Sequence, residues 1–116
     1  MAIDHAASGE VIDIRPLGSK LTESISTALF KSSQLEVLRL VLQAGKTVPE
    51  HQVPGEMTIQ CLEGSVELRA HARTQVLQAG HLMRLAGNVP YEIHAIDNAS
   101  LLITITLMHE DAKVGT

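Results

Sequence analysis

The 116-residue chain reads as an all-β sandwich or barrel. Three observations carry that reading. Apolar and polar residues alternate with a period of two through most of the chain, as half-buried strands require. Glycine- and proline-centred turn signals recur at roughly 8–12-residue spacing, which suits many short antiparallel strands. The pentapeptide VLQAG occurs at 41–45 and again at 76–80, each time closing a strand pattern and opening a turn, and so suggests two similar halves.

Taken in order, residues 1–10 are small and polar and are expected to be a disordered N-terminal end. Residues 11–34 form an N-terminal strand segment. Within it, Val11–Ile14 alternates and is expected to be a short strand, stopped by Pro16 and Gly18. Residues 20–34 are open to two readings: Ser24, Ser26 and Thr27 favour strand or loop, while Leu21, Ile25 and Leu29 could line a helix. Strand is preferred. This segment is the candidate for adding to a neighbour's sheet edge, which would make a homodimer.

Residues 35–108 hold the barrel. LEVLRLVLQAG sets Leu38, Leu40 and Leu42 on one face against Arg39, then turns at Ala44-Gly45. MTIQCL sets Met57, Ile59 and Cys61 against Thr58 and Gln60. SVELRA sets Val66, Leu68 and Ala70 against Glu67 and Arg69, and His71-Ala72-Arg73 is expected to be a hairpin tip. TQVLQAG, HLMRLAGNVP, YEIHAI and SLLITITL supply the remaining strands. Residues 109–116 are a polar tail.

Composition narrows the function classes. The chain is 45% hydrophobic and 19% charged, which suits one soluble globular domain. Its net charge of −4 disfavours nucleic-acid phosphates and anionic membrane surfaces. No apolar run is long enough to span a bilayer and no signal-peptide pattern is visible, so a cytoplasmic location is expected. With one cysteine, Cys61, no internal disulfide can form. The only aromatic residues, Phe30 and Tyr91, are too few for a stacking platform.

Residues 45–95 resemble the two sequence motifs of small single-domain cupins. The first motif is G-x5-H-x-H-x3,4-E-x6-G, and Gly45, His51 and Gly64 stand at its spacing. The second is G-x5-P-x-G-x2-H-x3-N; Gly80 opens it, and Gly87, Asn88 and Pro90 keep its turn chemistry. The resemblance covers roughly residues 35–107. It implies a double-stranded β-helix, a jelly-roll barrel of the RmlC-like cupin superfamily, usually a homodimer.

The family's metal ligands are largely replaced. His51 keeps the first histidine, but Val53 stands at the second, Met57 (or Thr58) at the carboxylate and Tyr91 at the last histidine. The motif proline, glycine and asparagine are Ala86, Asn88 and Ala95. A divalent-metal site wants three or four convergent donors, so no cofactor is expected. Any metal would have to be held by His51 with Glu56 or His94, and alternation puts His94 on the strand face opposite Tyr91.

What remains is a His51–Tyr91 pair in an expected ligand-binding pocket with Val53, Met57, Ile59 and Cys61, an apolar lining with few polar groups. The first reading is a small-molecule-binding cupin. The alternatives are enzymes: a metal-independent isomerase or epimerase with His51 as base and Tyr91 as acid, or a metal-dependent lyase or dioxygenase with a rearranged site. A third reading is a structural module whose barrel is filled by side chains. Each residue also has a plainer role: His51 as a turn histidine, Tyr91 as packing, Cys61 as a buried hydrophobe, Met57 as core filler and Glu56 as a solvated loop residue.

Overall fold

The computed structural model describes residues 5–107, and nine antiparallel strands lie among them. They are β1 (Thr27–Lys31), β2 (Leu35–Leu42), β3 (Thr47–His51), β4 (Met57–Glu63), β5 (Ser65–Ala70), β6 (Arg73–Gln78), β7 (Leu82–Leu85), β8 (Tyr91–Ala95) and β9 (Ala99–Thr106). A five-stranded sheet runs β1-β2-β9-β4-β7, and a four-stranded sheet runs β3-β8-β5-β6. The crossovers between sequence-distant strands are those of a jelly roll.

The period-two patterning decides which faces meet. In the larger sheet Leu40 pairs with Leu101, which pairs with Cys61; Ile103 joins Leu38 to Ile59. In the smaller sheet Val66 is flanked by Leu77 and Ala95, and Leu68 pairs with Ile93. These inward residues form one cluster in which Ile59, Cys61, Val66, Ile93 and Leu101 are fully buried. Burying each large aliphatic side chain contributes about 1.5–3 kcal/mol, so the shared core is the main source of stability.

The two VLQAG copies make the same turn. Lys46 N donates to Gln43 O and His81 N to Gln78 O, closing tight turns in which Gly45 and Gly80 have φ of 87° and 93°. Gly45 N then donates to Ala95 O while Ala95 N donates to Lys46 O; in the other half, Gly80 N donates to Cys61 O while Cys61 N donates to His81 O. Each turn thus clamps one residue of a strand, β8 in one half and β4 in the other. The expected internal symmetry is a backbone fact.

The N-terminal segment departs from expectation. Val11–Ile14 is extended but is not a strand, and Gly18–Glu23 forms a 3-10 turn; only Thr27–Lys31 becomes the strand expected in residues 20–34. The reason lies in Arg39, whose guanidinium takes the carbonyls of Asp13 and Arg15. Those acceptors serve a side chain instead of a strand ladder. Of the expected disordered end, residues 1–4 lie outside the described residues; Ala6 N donates to Leu29 O of β1. Met108 and the 109–116 tail also lie outside them. No helix among the described residues is long and apolar enough to cross a membrane.

Candidate functional site

One end of the barrel collects the residues that the sequence singled out. β3 is an edge strand, so Pro49 costs the sheet no hydrogen bond there. The strand ends at His51, which is paired in register with Tyr91 at the start of β8. Their rings meet edge to face, with centroids 6.0 Å apart and planes at 76°. His51 is exposed, whereas Tyr91 is only 6% exposed.

The Tyr91 hydroxyl has no hydrogen-bond partner among the described residues, yet no fully buried side-chain oxygen or nitrogen there lacks one. Burial of the ring raises the phenol's pKa above its ordinary value of 10.0, so at neutral pH it is a neutral donor and acceptor.

The other expected pocket residues lie elsewhere. Met57 is 2% exposed, and Ile59 and Cys61 are fully buried. They belong to the closed core, with no accessible wall to offer, because both sheets interdigitate over them. Cys61 Sγ points at the carbonyls of Glu63 and Gly64. Burial raises its pKa, as does the Glu63 charge, against a smaller opposing effect of the hydrogen bond to Glu63 O. That thiol is an inert packing group. Val53 is half-buried and packs on the core, and its carbonyl accepts the Asn88 amide at 2.7 Å.

Two loops close over this end. A Cβ at Gly55 would lie 1.9 Å from the Thr106 carbonyl, and one at Gly87 would lie 2.2 Å from the Pro54 carbonyl. Only glycine permits backbone to pass that close. The 53–55 loop therefore seats on the 87–88 loop, and what faces solvent is a rim. Two shallow depressions there, of about 330 and 250 Å³, share Glu50 and Pro90; one adds Arg69, His71 and Asn88, the other His51 and Gln52.

The sequence reading places a hairpin tip at His71-Ala72-Arg73 and a turn at Asn88 but assigns neither to a site. The two tip residues His71 and Ala72 and the loop residue Asn88 have φ of 54°, 60° and 62° and are the only described non-glycine residues with positive φ. All three line the same depression. A two-residue tip demands left-handed backbone at both His71 and Ala72, but its place beside the 87–88 loop is set by the fold.

The residues present do not fit the metal that the fold family implies. Glu56 is ion-paired to Arg84, and His94 lies on the outer face, where its Nδ1 meets Thr47 Oγ1 at 2.7 Å. Neither joins His51. Val53 offers hydrocarbon, Met57 a buried thioether and Tyr91 a protonated phenol. No three His, Cys, Asp or Glu side chains gather among the described residues. One imidazole and one neutral hydroxyl are too few donors for a tight divalent site.

No family model matches the chain, and no curated protein does. Solved structures do match. A conserved Streptococcus pyogenes protein of unknown function is similar with a TM-score of 0.72 at 18% identity, over 94% of this chain and 96% of that one. A cupin superfamily protein from Desulfitobacterium hafniense DCB-2 has a TM-score of 0.72 at 15% identity, over 84% and 95%. An RmlC-like cupin from Shewanella frigidimarina NCIMB 400 has a TM-score of 0.69 at 18% identity, over 95% and 96%.

Proposed function

Starting from a small domain with the cupin barrel fold, we propose that this chain is a small-molecule-binding cupin that works without the family's metal. The ligand sits on the barrel mouth over His51 and Tyr91. The observation that carries this reading is the His51–Tyr91 pair: an exposed imidazole meets the ring of Tyr91 edge to face, and the Tyr91 hydroxyl has no partner among the described residues. A free hydroxyl and a histidine nitrogen can each donate or accept, which suits a small polar ligand. The rim side chains Glu50, Gln52 and Arg69 extend the set. The closed core supports a ligand that rests on the mouth and does not enter the barrel.

Binding without chemistry is the simpler form of this reading. Acid–base work by the pair would need His51 oriented and a proton donor tuned near working pH. Among the described residues no carboxylate hydrogen-bonds the His51 ring, and the Tyr91 phenol is moved further from neutrality, not nearer. A homodimer in the cytoplasm remains part of the proposal; the charge and composition favour no nucleic-acid or membrane partner.

A thermal-shift screen of small carboxylic acids, polyols and sugars tests this, run on wild type, His51→Ala and Tyr91→Phe. The expected result is a ligand that raises the wild-type Tm and loses its effect in both variants. Ligands that act equally on all three proteins would overturn the mouth site. Elemental mass spectrometry supplies the second arm: stoichiometric metal in wild type that disappears in His51→Ala would overturn the metal-free reading.

A further inference from the structure

A second concavity lies away from the barrel mouth. It is a groove of about 670 Å³ between the N-terminal segment and the β1–β2 edge of the larger sheet, within the ~300–1,000 Å³ range of small-molecule sites. Its lining includes Arg39, Lys20 and Arg15 together with the apolar side chains of Leu17, Ile25 and Leu29.

Arg39 is the unusual member. It is only 5% exposed, and buried charges are normally paired with an opposite charge. Here the guanidinium donates from Nη1 to the Arg15 carbonyl at 3.0 Å and from Nη2 to the Asp13 carbonyl at 3.3 Å, and both acceptors are neutral. Among the described residues the ion pairs are Arg15–Asp13 and Arg84–Glu56; Arg39 is in neither. Two carboxylates lie in its field without pairing with it: Asp13, forked onto Arg15, and Glu63, whose Oε2 accepts Leu17 N and Ser100 Oγ and whose Oε1 accepts Gly18 N.

The Arg39 Nε–H has no partner among the described residues. Arg39 lines the groove, and this unpartnered edge of the guanidinium is the one left for a ligand. Arg15 is neutralised by its fork onto Asp13. Arg39 and Lys20 then outweigh Glu23 along the lining by one positive charge.

We propose that this groove binds a small amphiphilic carboxylate, with its head on the free edge of Arg39 and its apolar body on Leu29 and Ile25. The head would pair with a buried charge that has no ion pair among the described residues. A charge-assisted contact to a desolvated guanidinium is the strong kind. Ile25, 75% exposed on the groove wall, gains cover from the tail. This site is separate from the mouth, so the outcome here is independent of the His51–Tyr91 reading.

The test is a titration of 15N-labelled full-length protein with sodium octanoate, followed by amide shifts and by the Arg39 Nε–Hε resonance, beside 1-octanol and Ile25→Asp. Ile25 is too exposed for that substitution to unfold the chain. Octanoate should give saturable shifts at Arg39 and at residues 17–29. Octanol should bind about tenfold more weakly, as loss of one charged hydrogen bond implies. Ile25→Asp should weaken octanoate by a similar factor of about ten through lost apolar cover and like charge. Equal binding of octanol and octanoate, saturable shifts confined to other residues, or no saturable shift would each overturn the proposal. So would shifts in residues 17–29 that follow protein concentration without ligand, since a second copy of the chain would then be the occupant.

Discussion

Glu63 Oε2 accepts the Ser100 hydroxyl at 2.7 Å, and the same carboxylate takes the backbone N–H groups of Leu17 and Gly18. Ser100 is fully buried on β9, so one carboxylate ties the N-terminal segment to the middle of the larger sheet. Burial alone would raise the Glu63 pKa, but these hydrogen bonds, with the nearby Arg39 charge, outweigh it and hold the carboxyl below its ordinary 4.5. A depressed folded-state pKa means stability that is present above the unfolded value and lost as pH falls through the folded value. Glu63→Gln should therefore cost about 1–2 kcal/mol at about pH 7. The gap from wild type should begin to shrink as pH falls below about 4.5, where the unfolded-state carboxyl takes up its proton, and close once pH passes the lower folded-state value. Urea unfolding at several pH values measures both; a pH-independent gap would refute the assigned role.

Tyr91→Phe should leave the unliganded protein within about 0.5 kcal/mol of wild type, because the hydroxyl it removes bonds no described residue. Tyr91→Ala should lose about 3–5 kcal/mol, since the ring is 6% exposed within the core cluster. Denaturant midpoints decide. A large loss in the phenylalanine variant would mean that the hydroxyl is structural.

The hairpin tip holds Ala72 at φ 60° beside His71 at 54°. Left-handed backbone costs an L-residue with a Cβ roughly 1–2 kcal/mol, and glycine escapes most of it. Ala72→Gly should stabilise the protein by about 1 kcal/mol and raise Tm by about 4 °C, read by calorimetry.

Gly64 ends β4 with φ 79°, and a Cβ there would lie 2.1 Å from the Asn98 carbonyl and 2.8 Å from Ala99 Cα. Backbone on both sides cannot yield cheaply. Gly64→Ala should cost about 3 kcal/mol or more; a chemical denaturation midpoint near wild type would contradict the packing.

Cys61 should resist a thiol reagent such as 5,5′-dithiobis(2-nitrobenzoate) in the native state and react at once in denaturant, because it is fully buried and its pKa is raised. Fast native labelling would show that the core opens.

Much of this was legible in the sequence. Leu38, Leu40 and Leu42, or Met57, Ile59 and Cys61, face inward because side chains alternate along any strand, whatever it pairs with. The two VLQAG turns were legible because left-handed backbone selects glycine locally. The opposed faces of Tyr91 and His94 followed from the same alternation. Residues 11–24 were misread because a neutral alternating segment carries no mark of what will take its carbonyls. Arg39 does so from 24 residues away along the chain for Arg15.

The site divides in the same way. Sequence alone determined an all-β pattern and the repeated VLQAG turn, which are matters of residue identity and period; the resemblance to the cupin motifs drew attention to His51 and Tyr91 and to Val53 and Met57. Only the tertiary structure decided that Met57, Ile59 and Cys61 are closed core, that the Tyr91 ring is buried edge to face with an exposed His51, that Glu56 is drawn to Arg84, and that a buried Arg39 lines a groove outside the barrel. Each depends on which surfaces two sheets and a crossing segment bring within a few ångströms. Solvent exclusion and charge compensation are set by that approach, and spacing along the chain does not contain it.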